Sequence, residues 1–126
     1  MTLEEIQYFL IDSLEAHQPV LKVTVNKPSQ FEVTGTIPAM QGRNQVDGFY
    51  FGTIIPKPKD IRLYFFPMYT HRDQLYEEQS NELKKCLKGK SCYYIKSLTT
   101  EMKIEIKEMT HKAVTIYQKD GLLAKS

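Results

Sequence analysis

Apolar residues recur at helical spacing at Ile6, Phe9, Leu10 and Leu14, and Thr2 followed three residues later by Glu5 adds a capping box. The pattern predicts an amphipathic helix over residues 3 to 16, ended by Pro19, with His17 as a basic residue in its last turn. Leu21, Val23 and Val25 then alternate with Lys22 and Thr24, the period of a strand with one buried face. After a turn over residues 26 to 29, Phe31, Val33, Gly35 and Ile37 alternate with Glu32, Thr34 and Thr36, so a second strand returns antiparallel as a hairpin. Residues 38 to 48 show no apolar period and are expected to form the longest open loop.

Residues 49 to 55 and 61 to 66 are apolar at nearly every position, which marks two central strands. One face of the second carries Ile61, Leu63 and Phe65. The other carries Arg62, Tyr64 and Phe66, with Tyr50 and Ile54 as expected neighbours. Either a helix packs over this aromatic face or the face binds something. Beyond Pro67 a loop leads to Ser80, which caps a helix containing Leu83, Cys86 and Leu87 with Gly89 at its C′ position. Residues 92 to 95 suit a fifth strand. Met102, Ile106, Met109, Ala113, Ile116 and Tyr117 trace one face of a long helix from 100 to 119, closed by Gly121, with residues 122 to 126 expected to fray. The order helix, four strands, helix, strand, helix predicts a single α+β domain over residues 1 to 126. It is a two-layer sandwich in which an antiparallel sheet of about five strands is packed with helices.

Composition narrows the function. At 126 residues, 41% hydrophobic and 25% charged, the chain can bury one core without a disulfide or metal. A net charge of +2 makes nucleic acid an unexpected partner. Glu4 and Glu5 stand where a secretory signal would carry lysines, and no apolar run is long enough to span a bilayer, so a cytoplasmic location away from membranes is expected. Cys86 and Cys92 lack zinc-site spacing and are expected as reduced thiols.

Candidate chemistry is sparse. Gly89, Lys90 and Ser91 end like a phosphate-binding loop, but Lys84 stands where its first glycine belongs and the segment follows a helix, which excludes that motif. Lys90, Ser91 and the adjacent backbone remain a candidate small-anion site. Residues 47 to 54 share a glycine and two aromatics with an RNA-recognition strand, but lack its leading basic residue. His71, Asp73, Glu77 and Glu78 gather metal-ligating groups in one segment without a defined spacing. Cys92 beside Lys90 is either a thiol of lowered pKa or an inert buried one. No nucleophile, base and orienting acid converge, so no catalytic residue is assigned.

The strand IRLYFFPMY followed by LKKCLKGKSCYYIK resembles the YdhG-like family of small bacterial proteins of unknown function. Pro67, Tyr69, Gly89, Lys90, Ser91, Cys92 and Lys96 match its two motifs, as do the apolar positions Ile61, Leu63 and Phe65. The family's strand histidine is Tyr64 here, and the asparagine of its second motif is Tyr94. The resemblance implies a curved antiparallel sheet in a two-layer domain, and some relatives are linked to frataxin-like iron handling.

These readings combine into a non-enzymatic, cofactor-free binding module for a small ligand or protein partner, as a monomer or homodimer. Tyr50, Arg62, Tyr64, Tyr69, Lys90, Ser91, Cys92 and Tyr94 are the expected ligand-binding residues. The alternative is an iron chaperone in which His71 and Asp73 contribute to the metal site.

Overall fold

The computed structural model describes residues 1–125. Helix α1 (Leu3–Glu15) leads into strand β1 (Lys22–Lys27), which turns at Pro28 and Ser29 into β2 (Gln30–Thr34). The small hairpin β3 (Ala39–Gln41) and β4 (Asn44–Val46) precedes the central strands β5 (Tyr50–Pro56) and β6 (Ile61–Phe65). Three short helices follow, α2 (Pro67–Thr70), α3 (Arg72–Leu75) and α4 (Asn81–Cys86). The hairpin β7 (Leu87–Lys88) and β8 (Cys92–Ile95) and the long helix α5 (Thr100–Lys119) complete the chain. The fold is α+β: an antiparallel six-stranded sheet in the order β1-β2-β5-β6-β8-β7, with β3-β4 as a separate sheet. No helix among the described residues is long and apolar enough to cross a membrane.

The expected helices form for the expected local reasons. Thr2 and Glu5 make both bonds of the capping box on α1, and the Thr99 side chain accepts from the Met102 N–H at the start of α5. At the other end of α5, Gly121 takes φ 77°, and the Leu122 N–H reaches the Tyr117 carbonyl at 2.8 Å. This left-handed cap turns the chain back so that Leu123 is only 1% exposed. The tail is therefore anchored where fraying was expected; Ser126 lies outside the described residues.

One apolar layer joins sheet and helices. Phe31 and Val33 of β2, Ile54 of β5, Leu63 and Phe65 of β6, and Tyr93 and Ile95 of β8 point into it, against Ile6, Leu10 and Leu14 of α1 and Met102, Ile106 and Ala113 of α5. Full burial of each aliphatic, Phe or Met side chain larger than alanine in this layer stabilises the fold by about 1.5–3 kcal/mol before entropy is counted. The alternate residues of the same strands, Glu32, Arg62, Tyr64, Cys92 and Tyr94, are half-buried and belong to the other face. Helices α1 and α5 thus cover one side of the sheet, and the aromatic side expected to be covered or binding is left open.

Several expectations need correction. The segment from 38 to 48 is not an open loop: it holds β3 and β4, joined through Gly42 at φ 63°. Polar, exposed two-stranded hairpins carry no apolar period. The segment after Pro67 is likewise not a loop, because Pro67 occupies the first turn of α2, where its missing N–H has no helical partner to lose. Gly89, at φ 65°, is not a helix C′ residue. Helix α4 ends earlier, and Gly89 opens the three-residue turn of the β7-β8 hairpin, in which Lys88 pairs with Cys92. Ile54 is not a neighbour of Tyr64. It pairs with Leu63 in the core, while Thr53 pairs with Tyr64.

A β-bulge parts Tyr50 from Ile54. Val33 pairs with Gly52 but Thr34 pairs with Tyr50, which leaves Phe51 as an extra residue in β5. The extra residue shifts the side-chain parity. Phe51 enters the core against Phe65 and Tyr117, and Tyr50 is turned onto the open face.

Candidate functional site

The open face is built on β2, β5, β6 and β8. At its centre Tyr64 stands between two directly paired neighbours, Thr53 on β5 and Cys92 on β8. Arg62 and Tyr94 form the next pair along the same two strands. The Arg62 guanidinium lies 3.9 Å from the centre of the Tyr94 ring, and its Nε donates to Asp60 Oδ1 at 3.1 Å. Asp60 is only 6% exposed, so its carboxylate is a fixed partner for the guanidinium. Desolvation opposes the charge on Arg62, but the hydrogen bond and charge of Asp60 outweigh it and raise the pKa. Stacked on one side and held at Nε, the guanidinium has no hydrogen bond among the described residues at its two terminal nitrogens. That is the geometry for receiving a carboxylate or phosphate.

Toward the other end of the face, the bulge aims the Tyr50 hydroxyl at Thr53, which in turn donates to Glu32 Oε1 at 3.3 Å. Thr24 donates to the other oxygen of Glu32 at 3.2 Å. The Tyr50 ring packs 5.3 Å from Phe66, Phe66 stacks on Tyr69 at 5.5 Å with ring planes 7° apart, and Lys90 Nζ sits 5.4 Å from the Tyr69 ring centre. The Ser91 carbonyl accepts from the Phe65 N–H at 2.8 Å, which draws the β7-β8 turn up beside this stack.

Burial raises the Tyr50 and Tyr64 pKa values, so both hydroxyls stay protonated and act as neutral donors. Burial also pushes the Cys92 thiol up, against the Tyr64 hydrogen bond and the Arg62 charge that would lower it. Of the two readings of Cys92, this favours the inert thiol.

Of the eight expected ligand-binding residues, Tyr50, Arg62, Tyr64, Cys92 and Tyr94 thus lie on one face, and Tyr69 on α2 and Lys90 and Ser91 in the β7-β8 turn stand at its end. Sequence reasoning missed Asp60, Thr53 and Glu32. Asp60 was legible as the residue two before Arg62, hence on the same side of the strand; Thr53 and Glu32 depend on the bulge and on strand register.

His71 and Asp73 are placed differently. His71 Nε2 is 2.7 Å from Asp120 Oδ2 and Nδ1 is 2.8 Å from Thr70 Oγ1, so both ring nitrogens are engaged. Asp73 lies in the first turn of α3. Among the described residues, no three histidine, cysteine, aspartate or glutamate side chains come together in a group that could hold a metal ion.

The chain matches no family model, no curated protein and no solved structure.

Proposed function

We propose that this protein is a small, non-enzymatic binding module of the cytoplasm whose ligand seats on the open sheet face. The Arg62 guanidinium receives an anionic group, Tyr64 and Tyr94 supply flat surface and hydroxyl donors beside it, and Tyr50, whose hydroxyl is engaged by Thr53, adds ring surface toward the far end. One observation carries the reading: an arginine stacked on Tyr94 and tied to buried Asp60, with its terminal nitrogens uncommitted, on a face that no long helix covers. Such a side chain has lost its rotamer freedom in advance, so binding an anion costs less ordering entropy. In this reading the chain is a divergent YdhG-like protein, its motif residues Tyr69, Lys90 and Cys92 all on or beside the same face. Iron handling has less support, because His71 is engaged by Asp120 and Thr70.

A thermal-shift panel of inorganic phosphate, pyrophosphate, nucleotides and dicarboxylates at low salt tests the reading. An anion present at ten times its Kd should stabilise the fold by about 1.4 kcal/mol. In a domain of this size that raises Tm by roughly 5 °C. The rise should vanish in Arg62→Ala. A panel without effect, or one whose effect survives Arg62→Ala, overturns it.

A further inference from the structure

The cations of this chain are unevenly spread. Beyond Arg62 the open face runs into two adjoining hollows of about 400 and 600 Å³, lined by Lys57, Lys59, Lys85, Lys88, Lys96 and Arg62 itself. Only two carboxylates, Asp60 and Glu82, share them, and Asp60 is already committed to Arg62. The whole chain is net +2, so the surface outside the hollows is net acidic. Among the described residues none of these five lysines has a carboxylate within 4.0 Å. All five are exposed.

Topology makes this trough continuous with the aromatic face. Strand β7 stops pairing at Leu87, opposite Tyr93, so beyond that point β8 forms the edge of the sheet. Tyr94 and Lys96 on that edge border the larger hollow, and Arg62 lies in both. The ligand surface therefore runs from Lys90 and Tyr69, past Tyr50 and Tyr64, to the Arg62–Tyr94 stack and into a row of lysines.

We infer that this surface binds single-stranded nucleic acid, an inference that rests on the open face being the binding site. A small anion can occupy the Arg62 end of this surface, but it leaves the rest of the trough empty, because a compact ligand fills an enclosing pocket rather than a long open groove. The trough is open, and an extended polymer is the occupant it suits. Two features select the polymer. The row of cations matches a chain of phosphates, and the interleaved tyrosines with the flat Arg62–Tyr94 stack match bases laid face to face. A polyacidic peptide would use the lysines and leave the aromatic half of the surface idle. The low net charge that argues against such a partner combines a net +4 at the hollows with a net −2 over the rest of the chain.

Fluorescence anisotropy of the full chain with labelled mixed-sequence RNA and DNA single strands of about 12 nucleotides tests the inference. If four or five phosphates are neutralised, affinity should fall roughly 60-fold between about 50 and 200 mM salt, a logarithmic slope near −3. Replacing Lys57, Lys59 and Lys96 together by alanine should flatten that slope by about 2, whereas Tyr64→Ala should weaken binding about tenfold and leave the slope unchanged. Duplex DNA, polyphosphate and polyglutamate serve as competitors and should each bind at least about tenfold more weakly than the single strands. Polyglutamate binding as tightly as the oligonucleotides would make the partner an acidic peptide and overturn the inference; equal binding of polyphosphate or duplex would reduce it to charge alone and do the same. Absence of oligonucleotide binding at low salt also overturns it. If the small-anion thermal shift still depends on Arg62 in that case, the binding-face reading survives; if that shift is absent too, both fall.

Discussion

Tyr93 carries its hydroxyl into the core, where it has one side-chain partner. It donates to Gln79 Oε1 at 3.0 Å and accepts from Gln79 Nε2 at 2.7 Å, and the same Nε2 lies 3.3 Å from Met109 Sδ. Burial raises the Tyr93 pKa far beyond its ordinary value, so the pair is neutral at every physiological pH. Tyr93→Phe keeps the ring and leaves the buried Gln79 amide without its partner, at a cost of about 1–3 kcal/mol. Urea unfolding should show the midpoint falling with the slope unchanged; an unchanged midpoint would mean that water replaces the hydroxyl. That Tyr93 is core was legible from the alternation of residues 92 to 95. Gln79 as its partner was not, because a polar residue in a charged segment gives no sign that two short helices fold it inward.

At the scale of elements, the end of α1 meets the middle of α5 through two histidines. The rings of His17 and His111 are 5.9 Å apart, and Asp12, Lys107, Phe9 and Ser13 line the same hollow. His17 was expected to act as a cation in the last turn of α1. It instead follows the C-cap Ala16, and burial, then the charge of His111, lowers its pKa. A histidine whose folded pKa lies below its unfolded value binds more protons when unfolded, so its contribution to stability falls as pH drops below about 6.5. Thermal unfolding between about pH 7 and 5 should therefore show a loss of Tm that is smaller in His17→Gln; equal slopes in the two proteins would remove His17 as the cause. Elements with a strong period, α1, α5, β6 and β8, were legible from the chain. The bulge at Phe51 was not, since an all-apolar strand carries no parity signal, and one extra residue puts Tyr50 and Ile54 on opposite faces where strict alternation would put them on one.

The molecule as a whole has one dry side and one wet side to the same sheet, and neighbouring residues of β6 report it. Leu63 is 2% exposed beneath α1 and α5, whereas Tyr64 is half-buried on the open face. Leu63→Ala should cost about 2–5 kcal/mol, and Tyr64→Ala under about 1.5 kcal/mol. Chemical denaturation of the two variants compares them directly, and equal losses would mean that the aromatic face is core. The two-layer architecture was readable because helices gather at the ends of the chain. Which side of the sheet they leave bare was not, because both faces of the central strands are rich in large apolar residues. The chain is pinched where it leaves β2 and returns to β5. The Gly35 N–H donates to the Phe49 carbonyl at 2.8 Å, and a Cβ on Gly48 would lie 2.0 Å from the Gly35 carbonyl oxygen, so the chain leaves the sheet and returns to it at one point. Everything between, including the β3-β4 hairpin, is an excursion whose ends are already joined. Lengthening it adds little closure entropy and leaves the strand register untouched. Because Gln41 on that excursion accepts the Tyr50 N–H, the hairpin is an exchangeable part, at which ligand preference can be rewritten while the scaffold stays fixed.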